Sequence, residues 1–198
     1  MPLPWMSRRD RRAWRTASTL ADLGELTARW LEGDLKSQAG YQPRYGPDEE
    51  TAELIPTLAA ACRAGFLTDN SQPGEDETAA GVRWQQRAAV DGYLTDLDLL
   101  SRIRAAAKAE GVLLVVNQPG GRARQGIPAT KADGETYTWF GRAPTRADRR
   151  ISWDGVSRAA HREIAAARHV TLIDPEWGRN DRLWPLLDQI TNRVQIGV

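Results

Sequence analysis

"AAKAEGVLLVVNQPG", residues 106–120, decides how the fold reads. It opens as the Ala-rich end of a helix. Its middle, Gly111–Val116, is an apolar run without polar alternation. Such runs mark strands covered on both faces, which are usual in parallel sheets. It closes as a turn, with Asn117 and Gln118 before Pro119 and Gly120. Two other segments repeat the plan: residues 60–74 read "AACRAGFLTDNSQPG" and residues 165–178 read "AAARHVTLIDPEWG". Each passes from a helix end into a short apolar strand and then into a polar turn. A helix followed at once by a buried strand is half of a crossover unit. The expectation is an α/β fold, with a mixed, largely parallel sheet of about five strands and helices packed on its faces.

The flanking sequence fits one unit. The chain has 198 residues, enough for a single domain with a proper core. Residues 1–15 read as a basic N-terminal arm that docks through Trp5 or Trp14, and residues 16–198 as one α/β domain. Leu20, Leu23, Leu26, Trp30 and Leu31 fall on one face at helical spacing, so residues 18–32 are a helix. A second helix covers 48–63, where Pro56 kinks it or resets its start. Strands are expected around 86–93 and 136–141, helices over 95–109, 153–168 and 180–194, and a flexible loop over 118–134.

Composition narrows the chemistry. The net charge is +1, so no global field steers the molecule to nucleic acid or membrane. Arginine outnumbers lysine, but it is spread along the chain, which reads as composition. One cysteine allows no intramolecular disulfide, and two histidines without a third good ligand argue against zinc; no metal site is expected. Cys62 reads as a buried structural thiol. No apolar run follows the N-terminal charges and no segment is long enough to span a bilayer, so a cytoplasmic protein without a membrane partner is expected.

Ligands in open α/β sheets bind at the carboxyl edge of the strands. The three turns should meet there. Thr68, Asn70, Ser71 and Gln72 would supply hydrogen bonds, Asn117 and Gln118 would face them, and Gln86, Arg87 and Glu176 would reach the same region. Trp177 would stack on a planar ligand, and Asp69 or Asp174 would serve as catalytic base. Asn, Asp, Pro and Gly occur at turns for local reasons. Gln has no such preference, so its place in two of the three turns asks for another cause, either a ligand or loops that brace each other. His169 opens a strand at the edge opposite the turns and His161 lies on a helix, so a triad with Ser71 is not expected. "NQPGGRARQG", 117–126, lacks the Gly-Lys-Ser/Thr ending of a phosphate loop.

The strings "AGFLTDNSQPG", 64–74, and "QRAAVDGY", 86–93, resemble an uncharacterised, mainly actinobacterial family with an AGF-[LV]-T-x-x-SQPG core and a QRAAV-x-G-[FY] strand. The helix "WRTASTLADLGELTARWLEG", 14–33, fits the same family. The resemblance implies no chemistry and no cofactor. The functional expectation is a protein that binds a small polar ligand, nucleotides among the candidates, at the carboxyl rim, with hydrolysis or group transfer as the reaction if bond-making follows binding. The alternative is a non-catalytic interaction module, phage- or plasmid-associated, whose run "SRRDRRAWR", 7–15, and exposed tryptophans meet protein or nucleic acid.

Overall fold

The computed structural model describes residues 6–40, 45–121 and 125–195. Arg122 and Arg124 of the glycine-rich loop, and Trp5, lie outside them. The chain opens with α1 (Arg8–Thr16), whose Ser7 hydroxyl accepts from the Asp10 N–H. This basic segment packs onto the body. Trp14 is buried and donates its indole N–H to Ser37 O at 2.9 Å, and buried Asp10 accepts from the Lys36 N–H at 3.0 Å. In α2 (Leu20–Leu31) Thr19 and Asp22 form a reciprocal capping box. A 3₁₀ turn, Glu49–Leu54, leads into α3 (Ile55–Arg63), where Pro56 sits in the first turn and so starts the helix without kinking it.

Eight strands follow, interleaved with the remaining helices. They are β1 (Leu67–Gln72), β2 (Glu75–Ala79), β3 (Val82–Gln86), β4 (Ala89–Leu94), β5 (Leu113–Asn117), β6 (Ile127–Ala132), β7 (Glu135–Phe140) and β8 (Arg168–Ile173). The helices are α4 (Leu97–Glu110), α5 (Arg146–Ser152), α6 (Arg158–Ala166) and α7 (Leu183–Gln195). They build two four-stranded sheets, ordered β1-β4-β8-β5 and β2-β3-β6-β7, and every pairing in both is antiparallel. Among the described residues no helix is long and apolar enough to cross a membrane.

The largely parallel sheet is therefore overturned. After β1 the chain does not cross over a helix. It enters the second sheet through the β2–β3 hairpin and returns as β4, which runs against both β1 and β8. The stretch expected as one strand over 86–93 breaks at Arg87–Ala88, where the chain passes between sheets. The apolar run of β5 is an edge strand. It is apolar on both faces because Leu114 and Val116 pack on the helical core, while Val115 lies against Gly141. The cover is partial, with Leu113 exposed and Leu114–Val116 half-buried, and it comes from helix on one side and the segment after β7 on the other.

The topology also separates the turns. Gln72 pairs with Ala89, Ala89 with Ile173, and Ile173 with Leu113; at the far end Leu67 pairs with Tyr93, Tyr93 with His169, and His169 with Asn117. The turns after β1 and β8 share one end of the sheet. Asn117 and Gln118 lie at the other, because β5 runs opposite to β8. The expected common rim of three turns does not exist, and His169 stands beside the Asn117 turn.

Candidate functional site

The end holding Gln72 and Asp174 is a frame. The Gln72 amide donates to Arg87 O at 3.0 Å and Ala129 O at 2.9 Å, and accepts from the Thr130 hydroxyl at 3.2 Å. Those bonds tie the two sheets beside a small apolar core of Ala89, Ala129, Phe140 and Ile173. Asp174 is fully buried, paired with Arg179 at 2.7 Å, and accepts from the Glu176 N–H. Gly74 exchanges two hydrogen bonds with the Asn180 side chain, at 2.7 and 2.8 Å. A Cβ at Gly74 would lie 2.5 Å from Arg179 O. Residues 69–72, expected as a turn, are strand; it is the Pro73–Gly74 link after β1 that braces the turn after β8. Half-buried Trp177 has the Arg87 guanidinium 4.3 Å and the Lys131 ammonium 4.7 Å from its ring centre. Gln86 faces Glu50 and Glu75, Glu176 pairs with Arg179, and Arg87 donates to Pro128 O.

A different cluster forms on the face of the first sheet that looks toward the segment after β7. Directly paired residues of an antiparallel ladder project on one face. Tyr93, His169 and Asn117 therefore share one row, and Asp91 and Thr171 the next. On β1 the register slips between Thr68 and Asn70, so Asp69 is the extra residue of a bulge. Bulges re-aim side chains, and this one turns Asp69 toward the Tyr93 phenol. Gly141 closes over the row: its carbonyl accepts from the Asn117 amide at 3.1 Å, and its N–H supports Asp91. The Thr171 hydroxyl donates to Asp91. Trp153, fully buried, meets the Tyr93 ring edge-on with centroids 6.2 Å apart, and His169 does so at 5.3 Å.

Burial sets the electrostatics. It raises Asp69 to about 6, against a lowering by Tyr93. It raises Asp91 to about 7; Thr171 opposes this, and the Asp69 charge adds to it. The two carboxyl groups thus titrate as a coupled pair near neutral pH. Burial also drives the Tyr93 phenol far above its ordinary range, with the Asp69 charge adding to the rise. The His169 imidazole falls to about 4 through burial and then the nearby Arg149 charge, so it is neutral at pH 7.

Beside this cluster lies a cavity of about 210 Å³, walled by Tyr93, His169, Asn117, the Gln118–Gly121 turn and Arg146 and Arg149 of α5. The His169 Nδ1 has no hydrogen-bond partner among the described residues, while the Tyr93 hydroxyl faces Asp69 and the Trp153 indole N–H. Tyr93, His169 and Trp153 are more than nine-tenths buried. Native interiors leave few buried polar atoms unpartnered, and the His169 Nδ1 at this cavity is one. A smaller cavity of about 50 Å³ reaches Asp69, Asn70 and Ser71 from the side of α2 and the 3₁₀ turn. Thr68 faces the helical side, its hydroxyl 3.1 Å from the Cys62 thiol.

Of the residues expected in a site, Asp69 belongs to this cluster, and Asn117 and Gln118 line its cavity. Asp91, Tyr93, Thr171, His169, Arg149 and Trp153 escaped the sequence reading. One signal was present: an aspartate in the middle of the apolar strand "AVDGYL", where aspartate is depleted.

A family model described as a domain of unknown function, DUF6919, matches residues 9–193. The "AGFLTDNSQPG" and "QRAAVDGY" strings fall within the match. No curated protein matches the chain.

Proposed function

The chain belongs to the DUF6919 family, whose description assigns no activity, and from its geometry we propose that it binds a small, phosphate- or carboxylate-bearing ligand in the Tyr93–His169–Arg149 cavity. The observation that carries this reading is that two buried polar side chains, Tyr93 and His169, line one cavity wall with Arg146 and Arg149, and that the His169 Nδ1 has no hydrogen-bond partner among the described residues. The phenol stays protonated at neutral pH and can donate, and a neutral imidazole donates from one nitrogen and accepts at the other. Arg149 and Arg146 add positive charge at the same wall. Such a wall fits oxygen-rich anions, and guanidinium forks match phosphate and carboxylate. The cavity is small beside the roughly 300–1,000 Å³ of usual ligand clefts. It suits a phosphate with part of a sugar, which keeps mononucleotides among the candidates.

The Asp69–Asp91 pair gives this site a proton donor and acceptor near neutral pH, linked to the cavity through the Tyr93 hydroxyl. Carboxylates tuned this way are the usual means of acid–base catalysis. The reading is accordingly a hydrolase or transferase acting on such a ligand, with Arg149 binding charge, Tyr93 donating to an oxygen and the carboxyl pair moving a proton.

Thermal shift against nucleoside phosphates, sugar phosphates and dicarboxylates tests it. At 100 times Kd a ligand adds about 2.7 kcal/mol to stability, which is visible as a raised Tm. Tyr93→Phe and Arg149→Ala should each abolish the rise while leaving the ligand-free Tm near that of the parent. A rise that survives both substitutions removes the cavity from the account, and no rise across the panel removes the ligand class.

A further inference from the structure

The cavity continues onto a basic surface. Arg146 and Arg149 line it and also line a shallow hollow over α5 and α6, together with Arg150, Arg158 and Arg162. His161 and Asp154 belong to that hollow and to a second one, which adds Arg11 and Arg15 of α1. One strip thus runs from the cavity mouth across α5 and α6 to α1. Among the described residues none of these arginines makes an ion pair, whereas Arg9, Arg29, Arg63, Arg83 and Arg179 all do. Arg11, Arg15, Arg146, Arg150, Arg158 and Arg162 are exposed. Asp154 is the one acid lining the two hollows. With a net charge of only +1, such a strip is a local concentration of charge held in place by the fold.

We propose that this strip binds a nucleic-acid strand through its phosphates and leads the strand to the cavity mouth. The proposal rests on the cavity reading only for where the strand ends. Unpaired, exposed guanidinium groups in a row match a phosphate backbone. Protein interfaces centre on buried aromatic or aliphatic anchors; this strip exposes Ile151 as its one large apolar side chain. That composition favours a polyanion over a protein partner, and gives little to insert into a lipid surface.

The test is fluorescence anisotropy with a labelled single-stranded 12-mer. Single strands lose roughly 0.7 log units of affinity per phosphate contact for each log unit of salt, so about five contacts give a roughly hundredfold loss between 50 and 200 mM salt. The charge reversal Arg150→Glu/Arg158→Glu/Arg162→Glu leaves the cavity arginines in place. It should weaken binding at least tenfold and flatten the salt slope, and the milder Arg158→Ala/Arg162→Ala should do so in smaller measure. Nucleoside-phosphate thermal shifts should persist in both variants. Absence of binding at 50 mM salt, indifference to both sets of substitutions, or equal affinity for polyglutamate or phosphatidylserine vesicles would each overturn the proposal. The cavity reading fails separately, through Tyr93→Phe, so the two failures are distinguishable.

Discussion

Gln72 and Asp69 lie three residues apart and divide structure from chemistry. All the hydrogen bonds of the Gln72 amide go to the seam between the sheets. Gln72→Ala removes the side-chain donor to Arg87 O and one of two donors to Ala129 O, which keeps the Arg87 N–H, so a loss of roughly 1–3 kcal/mol is expected in urea unfolding, with ligand-induced Tm shifts retained. The glutamine that looked out of place in a turn thus had a cause, but its partner Ala129 lies 57 residues away. No local pattern carries that. Asp69 was legible as an acid in a polar bend; the bulge that turns it inward was not. The half-buried acids Asp69 and Asp91 also fix a pH dependence. A carboxyl group whose folded pKa is raised binds its proton more tightly in the folded state. Its contribution is full below the ordinary carboxylate range and lost as pH rises through the folded value. For Asp69 and Asp91 the window runs from about 4 up to about 6 and about 7. His169, lowered to about 4, acts oppositely: its contribution is present above about 6.5 and lost as pH falls through the folded value. Asp91→Asn should therefore leave the protein more stable than the parent at pH 8 and no more stable at pH 4, as denaturant midpoints at the two pH values would reveal.

At the scale of elements, the decisive contact is β4 against β1. Gly92 allows it: a Cβ there would stand 2.5 Å from Leu67 O and 2.7 Å from the Phe66 ring. Gly92→Ala must push the strands apart, at an expected cost of about 1–3 kcal/mol. It should also lower the upper of the two carboxyl pKa values, since Asp69 and Asp91 sit on the strands that separate; carbon-13 carboxyl titration by NMR reads this directly. Individual elements were well marked in the sequence. Helical spacing found α2, one of the two roles read for Pro56 matches the start of α3, and apolar runs found β5, β8 and the first residues of β1, whose polar end was read as a turn. Pairing direction was not marked, because a helix followed by a strand is compatible with either direction. The polar strands β2 and β3 were hidden too: four of the five β2 side chains are exposed, and little apolar alternation remains to betray them.

For the molecule as a whole, antiparallel pairing puts the braced turns and the polar cluster at opposite ends of one sheet. The fold brings Gly141–Trp153 over the second of these, and a cavity there is lined by tyrosine, histidine and arginine from distant parts of the chain. One tryptophan marks each end. Trp177 lies among the braces with two cations on its ring; Trp153 packs edge-on against Tyr93 at the cavity cluster. Indole proton–nitrogen NMR, with signals assigned through Trp153→Phe and Trp177→Phe, separates the two ends in one titration with AMP and with inorganic phosphate. A progressive, saturable shift of the Trp153 indole signal, with Trp177 unmoved, is the predicted result. Movement of Trp177 while Trp153 stays still would place binding at the other end of the sheet and contradict the account.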